Sequence, residues 1–284
     1  MKKKRNSWIY LVLGIMLFSL ITVSALPLVG SVVEGQQFDR NVNNEVFTLS
    51  QQELTKLEAE ASGYQKVLER EPNNDTALNG LLKIRLQQKD LEGATVPLAQ
   101  LAKLHPELTE YKILFAQAQQ QLADYEAAAA AYNDVLAEHP GDIYALSGIT
   151  NLYATQEQPE RAIALLKKTI DSASQPDNPT SNSIDRAAVE LLLGELYANQ
   201  KRYGEAIALY DGLAESDRDD FRPILAKALV LEQQGDLSAA RPILEKAYVA
   251  APETYKDRIG KEMERVVRGI EAANDLADSA EDKK

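Results

Sequence analysis

The chain has no cysteine. That absence excludes disulfides, thiolate metal sites, a cysteine nucleophile and a lipidated N-terminal cysteine, and it leaves the redox compartment open. Histidine is nearly absent too, with two in 284 residues. These are His105 and His139, and neither has a third ligand at metal-like spacing, so no metal and no cofactor is expected. The sequence lacks a glycine-rich phosphate loop, a G-x-S-x-G, an H-E-x-x-H and a calcium loop. Acidic residues are scattered, so no catalytic carboxylate pair stands out and no enzyme activity is expected. Positive charge is also in deficit. The net charge is −12, and Lys2, Lys3, Lys4 and Arg5 hold +4 of that balance, leaving −16 on the rest. Such a surface argues against nucleic acid or anionic lipid as a ligand of the folded part, because phosphate neutralisation needs clustered Lys and Arg.

What is present begins with an uncharged run over residues 8–33, directly after the basic cluster. Its regular part, residues 8–26, ends before Pro27 and is long enough as a helix to cross a bilayer, which needs about 20 residues. Trp8 and Tyr10 sit where interfacial aromatics belong. The run outlasts the usual core of a signal peptide, so it reads as an uncleaved anchor. A cleaved signal, with Val23-Ser24-Ala25 as the small-residue site, is the alternative. The basic cluster before the run keeps the N-terminus cytoplasmic and sends the remainder to the far side, periplasm or lumen. Residues 34–50 are polar and read as a stalk.

The rest of the chain is periodic. Ala94, Ala128 and Ala162 are 34 residues apart, as are Ala206 and Ala240, and the gap between the two sets is 44. Pro72, Pro106 and Pro140 run in phase, with Pro252 in register after the insertion. A period in this range marks a repeat architecture. Five units follow, 75–108, 109–142, 143–176, 187–220 and 221–254, with an insertion loop at 177–186. Each reads as two antiparallel helices. Unit position 20 is Ala throughout, which lets two helix backbones approach where they cross. Position 24 is Leu98, Tyr132, Leu166, Tyr210 and Leu244, large enough to fill the gap to the next unit. Proline at position 32 stops the second helix. Pro97 falls inside a second helix and should remove one of its hydrogen bonds. Pro159, Pro223 and Pro242 are expected in or near first turns. Ser50 with Glu53 opens a further helix ahead of the units. An amphipathic cap over 255–274 follows them, with a charged, disordered tail at 275–284.

The Leu193-Gly194 and Tyr197 of the fourth unit, the Ala ladder, the large residue at position 24 and the Pro at position 32 resemble tetratricopeptide repeats, abbreviated TPR. The resemblance implies an all-α solenoid of about five helix-turn-helix repeats plus capping helices, preceded here by one N-terminal transmembrane helix. It also implies that the first helices line a concave groove for segments of partner proteins. Family groove positions 2, 5, 9 and 12 carry over to Asn79 and Lys83, Gln117 and Gln120, Tyr144 and Asn151, and Glu195, among others. The groove reads as amide-rich in its first half and more apolar in its second, with Ala188, Leu191, Leu225 and Leu229. Amides can bond a partner backbone in either direction. They also suit a plain solvated face.

The whole is similar to membrane-anchored bacterial or thylakoid-type TPR proteins. The expected function is a non-enzymatic scaffold held at the membrane through residues 8–26, binding other proteins such as membrane-complex subunits and assisting their assembly. A secreted or periplasmic soluble adaptor, and an accessory subunit of a secretion apparatus, are the alternatives.

Overall fold

The computed structural model describes residues 50–175 and 180–281. The expected membrane span and most of the stalk lie outside them. Among the described residues no helix is long and apolar enough to cross a membrane.

The described residues form twelve α-helices with one short 3-10 turn and no strand. In chain order they are α1 Gln51–Arg70, α2 Asp75–Gln87, α3 Leu91–Leu104, α4 Thr109–Gln121, α5 Tyr125–Glu138 and α6 Ile143–Thr155, then α7 Pro159–Ala173, α8 Arg186–Asn199, α9 Tyr203–Ser216, α10 Phe221–Gln234, α11 Leu237–Ala250 and α12 Glu253–Glu281. They divide into two compact units, one ending at Glu157 and the other beginning at Gln158. That boundary falls inside the third repeat, well before the inserted loop. Within each unit, helices consecutive in sequence pack on one another.

The turn between the two helices of a repeat has one recurring device. Lys89, Ala123, Glu157 and Lys201 have φ of 58°, 61°, 57° and 58°, and Gly235 has 89°. These residues repeat with the same interval as the alanines. Each first helix closes through a left-handed residue. The next amide reaches back to the last turn, as in Asp90 N to Arg85 O at 2.8 Å and Asp124 N to Gln119 O at 2.9 Å. Asp90, Asp124 and Asp236 then cap the following helix by accepting from Gly93, Ala127 and Ala239 N. One residue thus ends a helix and its neighbour starts the next, which fixes the hairpin geometry. Glycine occupies this site only at 235. The left-handed conformation costs a non-glycine residue about 1–2 kcal/mol, partly offset by a less flexible unfolded chain. Ala123→Gly should therefore raise stability by about 0.5–1 kcal/mol, and Gly235→Ala should lower it by a similar amount. Denaturant midpoints of the two variants check the opposite signs.

All five ladder alanines are 0% exposed. A second rule of volume governs position 24. A β-carbon on Gly80 would lie 2.4 Å from the Tyr64 ring, and one on Gly148 would lie 2.3 Å from the Tyr132 ring. Tyr64 and Tyr132 both stand at position 24, and each ring sits on a glycine sixteen residues later. The same offset from Leu98 leads to Leu114, and both are 0% exposed. From Tyr210 the offset leads to Ala226, which leaves less room. The Tyr210 ring rests instead on Gly194 of its own hairpin, where a β-carbon would come within 2.3 Å. Large residues meet small ones so that the layers fill at constant volume.

Two sequence expectations are altered. Pro242 is the sixth residue of α11, past the first four amides, so its missing N–H belongs to the helix interior. The last helix runs to Glu281 rather than ending near 274. Its first half is held by buried Ile259 and Val266 and by Arg265 bridging to Glu232 at 2.7 Å and to Glu262 at 2.5 Å.

Candidate partner-binding face

In the first unit, the helices that open successive hairpins are α2, α4 and α6. Each starts at a capped or bonded end. Asn74 and Asp142 cap α2 and α6, and Thr109 at the start of α4 donates to Asp142 at 3.0 Å. Registers fixed this way bring side chains of neighbouring repeats together across the first helices. Gln120 Nε2 of α4 donates to Asn151 Oδ1 of α6 at 2.9 Å. Tyr111 Oη of α4 donates to Asn79 Oδ1 of α2 at 3.1 Å, while Asn79 Nδ2 donates to the Asp75 carbonyl at 2.9 Å.

The expected groove residues therefore differ in how free they are. Asn79 has both ends of its carboxamide engaged within the chain. Gln120 is 5% exposed, donates to Asn151, and accepts from Tyr132 Oη at 3.4 Å. Asn151 is half-buried and accepts through its oxygen. Lys83 is exposed and Tyr144 half-buried. Gln117 is 0% exposed, and neither its Nε2 nor its Oε1 has a hydrogen-bond partner. Sequence reasoning missed Tyr111 and Tyr132 as partners of these amides. Position 3, where Tyr111 stands, is Ala77, Ala145, Val189 and Pro223 in the other repeats, so no pattern marked it.

In the second unit the same positions behave differently. Ala188, Leu191, Leu225 and Leu229 are 4%, 1%, 3% and 6% exposed, so they are packed rather than offered to solvent. The polar members are paired. Arg222 Nη2 donates to Asp220 Oδ2 at 2.7 Å, and its Nε reaches the same carboxylate, which raises the guanidinium pKa. Glu232 holds Arg265 through two bonds of 2.7 Å. Glu195 is half-buried, and its charge adds to the burial that raises the Tyr210 pKa.

The His105 ring lies 6.0 Å from that of Tyr111. His105 closes α3 and its Nε2 is 2.5 Å from Asp75 Oδ1, while His139 closes α5 at an exposed position. No group of three or more metal-ligating side chains forms among the described residues.

Hairpins of 34 residues, alanine at each crossing and a left-handed residue at each turn recur through the described repeats. A profile of the tetratricopeptide repeat matches residues 118–179, and a second such profile matches residues 184–223. This chain carries tetratricopeptide repeats. The chain is 28% identical over 159 residues to cellulose synthase operon protein C of Pseudomonas fluorescens (strain SBW25), a match that covers 54% of this chain and 12% of that protein. The fold is similar to the crystal structure of yeast Tom70, with a TM-score of 0.50 and 13% identity over 84% of this chain and 47% of that one. A tetratricopeptide repeat protein from Parabacteroides merdae ATCC 43184 matches at a TM-score of 0.48 and 18% identity, over 78% of this chain and 87% of that one. The TPR chain thus spans only a small part of the Pseudomonas protein and about half of Tom70.

Proposed function

We propose that this TPR chain is a non-enzymatic scaffold that binds segments of partner proteins on the face built by the first helices of its repeats. One observation carries the reading. Side chains at groove positions of adjacent repeats meet on a single face, as Gln120 and Asn151 do at 2.9 Å, so a continuous surface runs across α2, α4 and α6. Residues 8–26 tether the chain to a membrane, with the basic N-terminus in the cytoplasm and the repeats on the far side. Tethering raises the effective concentration of partners in the same membrane, so a weak face suffices. The partners are subunits of a membrane complex whose assembly or maintenance the scaffold assists.

The test is crosslinked capture from membranes with Asn79, Gln117 and Asn151 changed to Ala in the full chain. Loss of a defined set of partners is the expected result. Retention of every partner would end the groove reading. Protease treatment of sealed vesicles checks the orientation: digestion of residues 50–284 from the cytoplasmic side overturns it. An amino terminus near Leu26 in the mature protein would replace the anchor with a cleaved signal.

A further inference from the structure

The hairpin of α8 and α9 holds an open cleft of about 530 Å³. Arg186, Ala187 and Glu190 line it from α8, and Leu209, Gly212 and Leu213 from α9. Two residues account for the space. Position 4 of the repeat is Leu78, Leu146 and Ile224 in three other units and is Glu190 here. Position 26 is Gln100, Asp134, Lys168 and Lys246 in the other units and is Gly212 here. Gly212 lies inside α9, has no left-handed φ, and a β-carbon on it would meet nothing within 4 Å. Glycine inside a helix costs stability, and neither the backbone nor the packing of this chain asks for it. The carboxylate in the cleft is half-used. The Glu190 side chain is 13% exposed, Arg186 Nε donates to its Oε1 at 2.8 Å, and its Oε2 takes no bond among the described residues. Over residues 186–216 the hairpin carries three basic and five acidic side chains, a net charge of −2.

We propose that this cleft is a docking site for one lysine side chain of a partner segment, its aliphatic stem lying over Gly212 and its ammonium donating to Glu190 Oε2. A lysine joins an apolar stem to a charged head, which matches a floor of Ala187, Leu209 and Leu213 that ends in a carboxylate. The single free oxygen suits an ammonium, a point charge, better than a guanidinium, whose fork pairs with both oxygens of a carboxylate. Glu190 is largely shut off from water, so a charge pair made there is screened less than one on the open surface. Arg186 repels the incoming ammonium only weakly, because its own side chain is 57% exposed. The negative charge of the hairpin, and of the fold as a whole, draws a cationic segment toward it. The site lies within one hairpin of the second unit and does not depend on the groove reading above.

The experiment uses the full chain and a library of short capped peptides, each uncharged except for one central lysine. The tightest binder is remade with norleucine or arginine in place of that lysine. Glu190→Gln is expected to bind the lysine peptide roughly tenfold more weakly, the size of one hydrogen bond to a charged group. The norleucine peptide should show the same loss on the wild-type chain and no further loss on Glu190→Gln. The arginine peptide should bind more weakly than the lysine peptide. Gly212→Leu fills the cleft, so lysine-peptide binding should fall about tenfold while the thermal midpoint rises, which separates lost binding from lost folding. Changing Asn79, Gln117 and Asn151 to Ala should leave the lysine peptide bound as before, which separates this site from the groove. Unchanged affinity in Glu190→Gln or Gly212→Leu, an arginine peptide that binds more tightly, or failure of every lysine peptide to bind the wild-type chain overturns the proposal and leaves the groove reading standing.

Discussion

Gly148→Ala is expected to destabilise the first unit by about 2–3 kcal/mol, the cost of forcing atoms into a filled core less the gain in helix propensity. The added carbon would stand 2.3 Å from two ring atoms of Tyr132, whose side chain is 0% exposed and has nowhere to retreat. Thermal unfolding should show a fall of roughly 5–10 °C. The decisive comparison is a double variant. Gly148→Leu alone should be worse than Gly148→Ala, yet combined with Tyr132→Leu it recreates the leucine pair found at Leu98 and Leu114. Recovery of most of the lost stability is then expected, because total volume rather than residue identity is what the layer requires. A double variant no better than Gly148→Leu alone would show that the ring itself, not its volume, is needed.

Alkaline pH is expected to unfold the protein through two buried phenols. Tyr132 and Tyr210 are both 0% exposed, and burial pushes the pKa of each well above that of an exposed tyrosine. Their hydroxyls make only long bonds of 3.4 Å, to Gln120 Oε1 and to the Leu191 carbonyl. In the unfolded chain a tyrosine ionises near pH 10, while the folded chain keeps these two protonated. The folded form therefore binds more protons above pH 10, and stability falls as pH rises from there. Below that point the two groups contribute no pH dependence. Each phenol costs about 1.4 kcal/mol per pH unit above 10, so the pair costs about 3 kcal/mol at pH 11. Denaturant unfolding at pH 8, 10 and 11 measures this, and Tyr132→Phe with Tyr210→Phe should flatten the profile. An unchanged slope in the double variant would assign the alkaline loss to other groups.

Much of the fold was readable without coordinates. A fixed interval of 34 residues reports one hairpin repeated, and alanine at each crossing reports close backbones, because both are local and recur in every repeat. The turn ladder was harder to see. Left-handed residues Lys89, Ala123, Glu157 and Lys201 have no common chemistry, since the conformation is imposed by the hairpin rather than chosen by the residue. The tyrosine and glycine pairs were legible in principle as an offset of sixteen residues, but only once the packing showed which glycine each ring covers.

The candidate face divides in the same way. Sequence by itself determined that the chain folds as helical hairpins of TPR type and which positions share a face, since those follow from periodicity. Tertiary structure alone decided which amides on that face remain uncommitted. Asn79, Gln117, Gln120 and Asn151 look alike in sequence, and only the bonds from Tyr111, Tyr132 and neighbouring amides separate them. Whether a carboxamide is satisfied depends on partners 12 to 32 residues away in the chain, brought to between 2.9 and 3.4 Å by packing, and no local pattern records that distance.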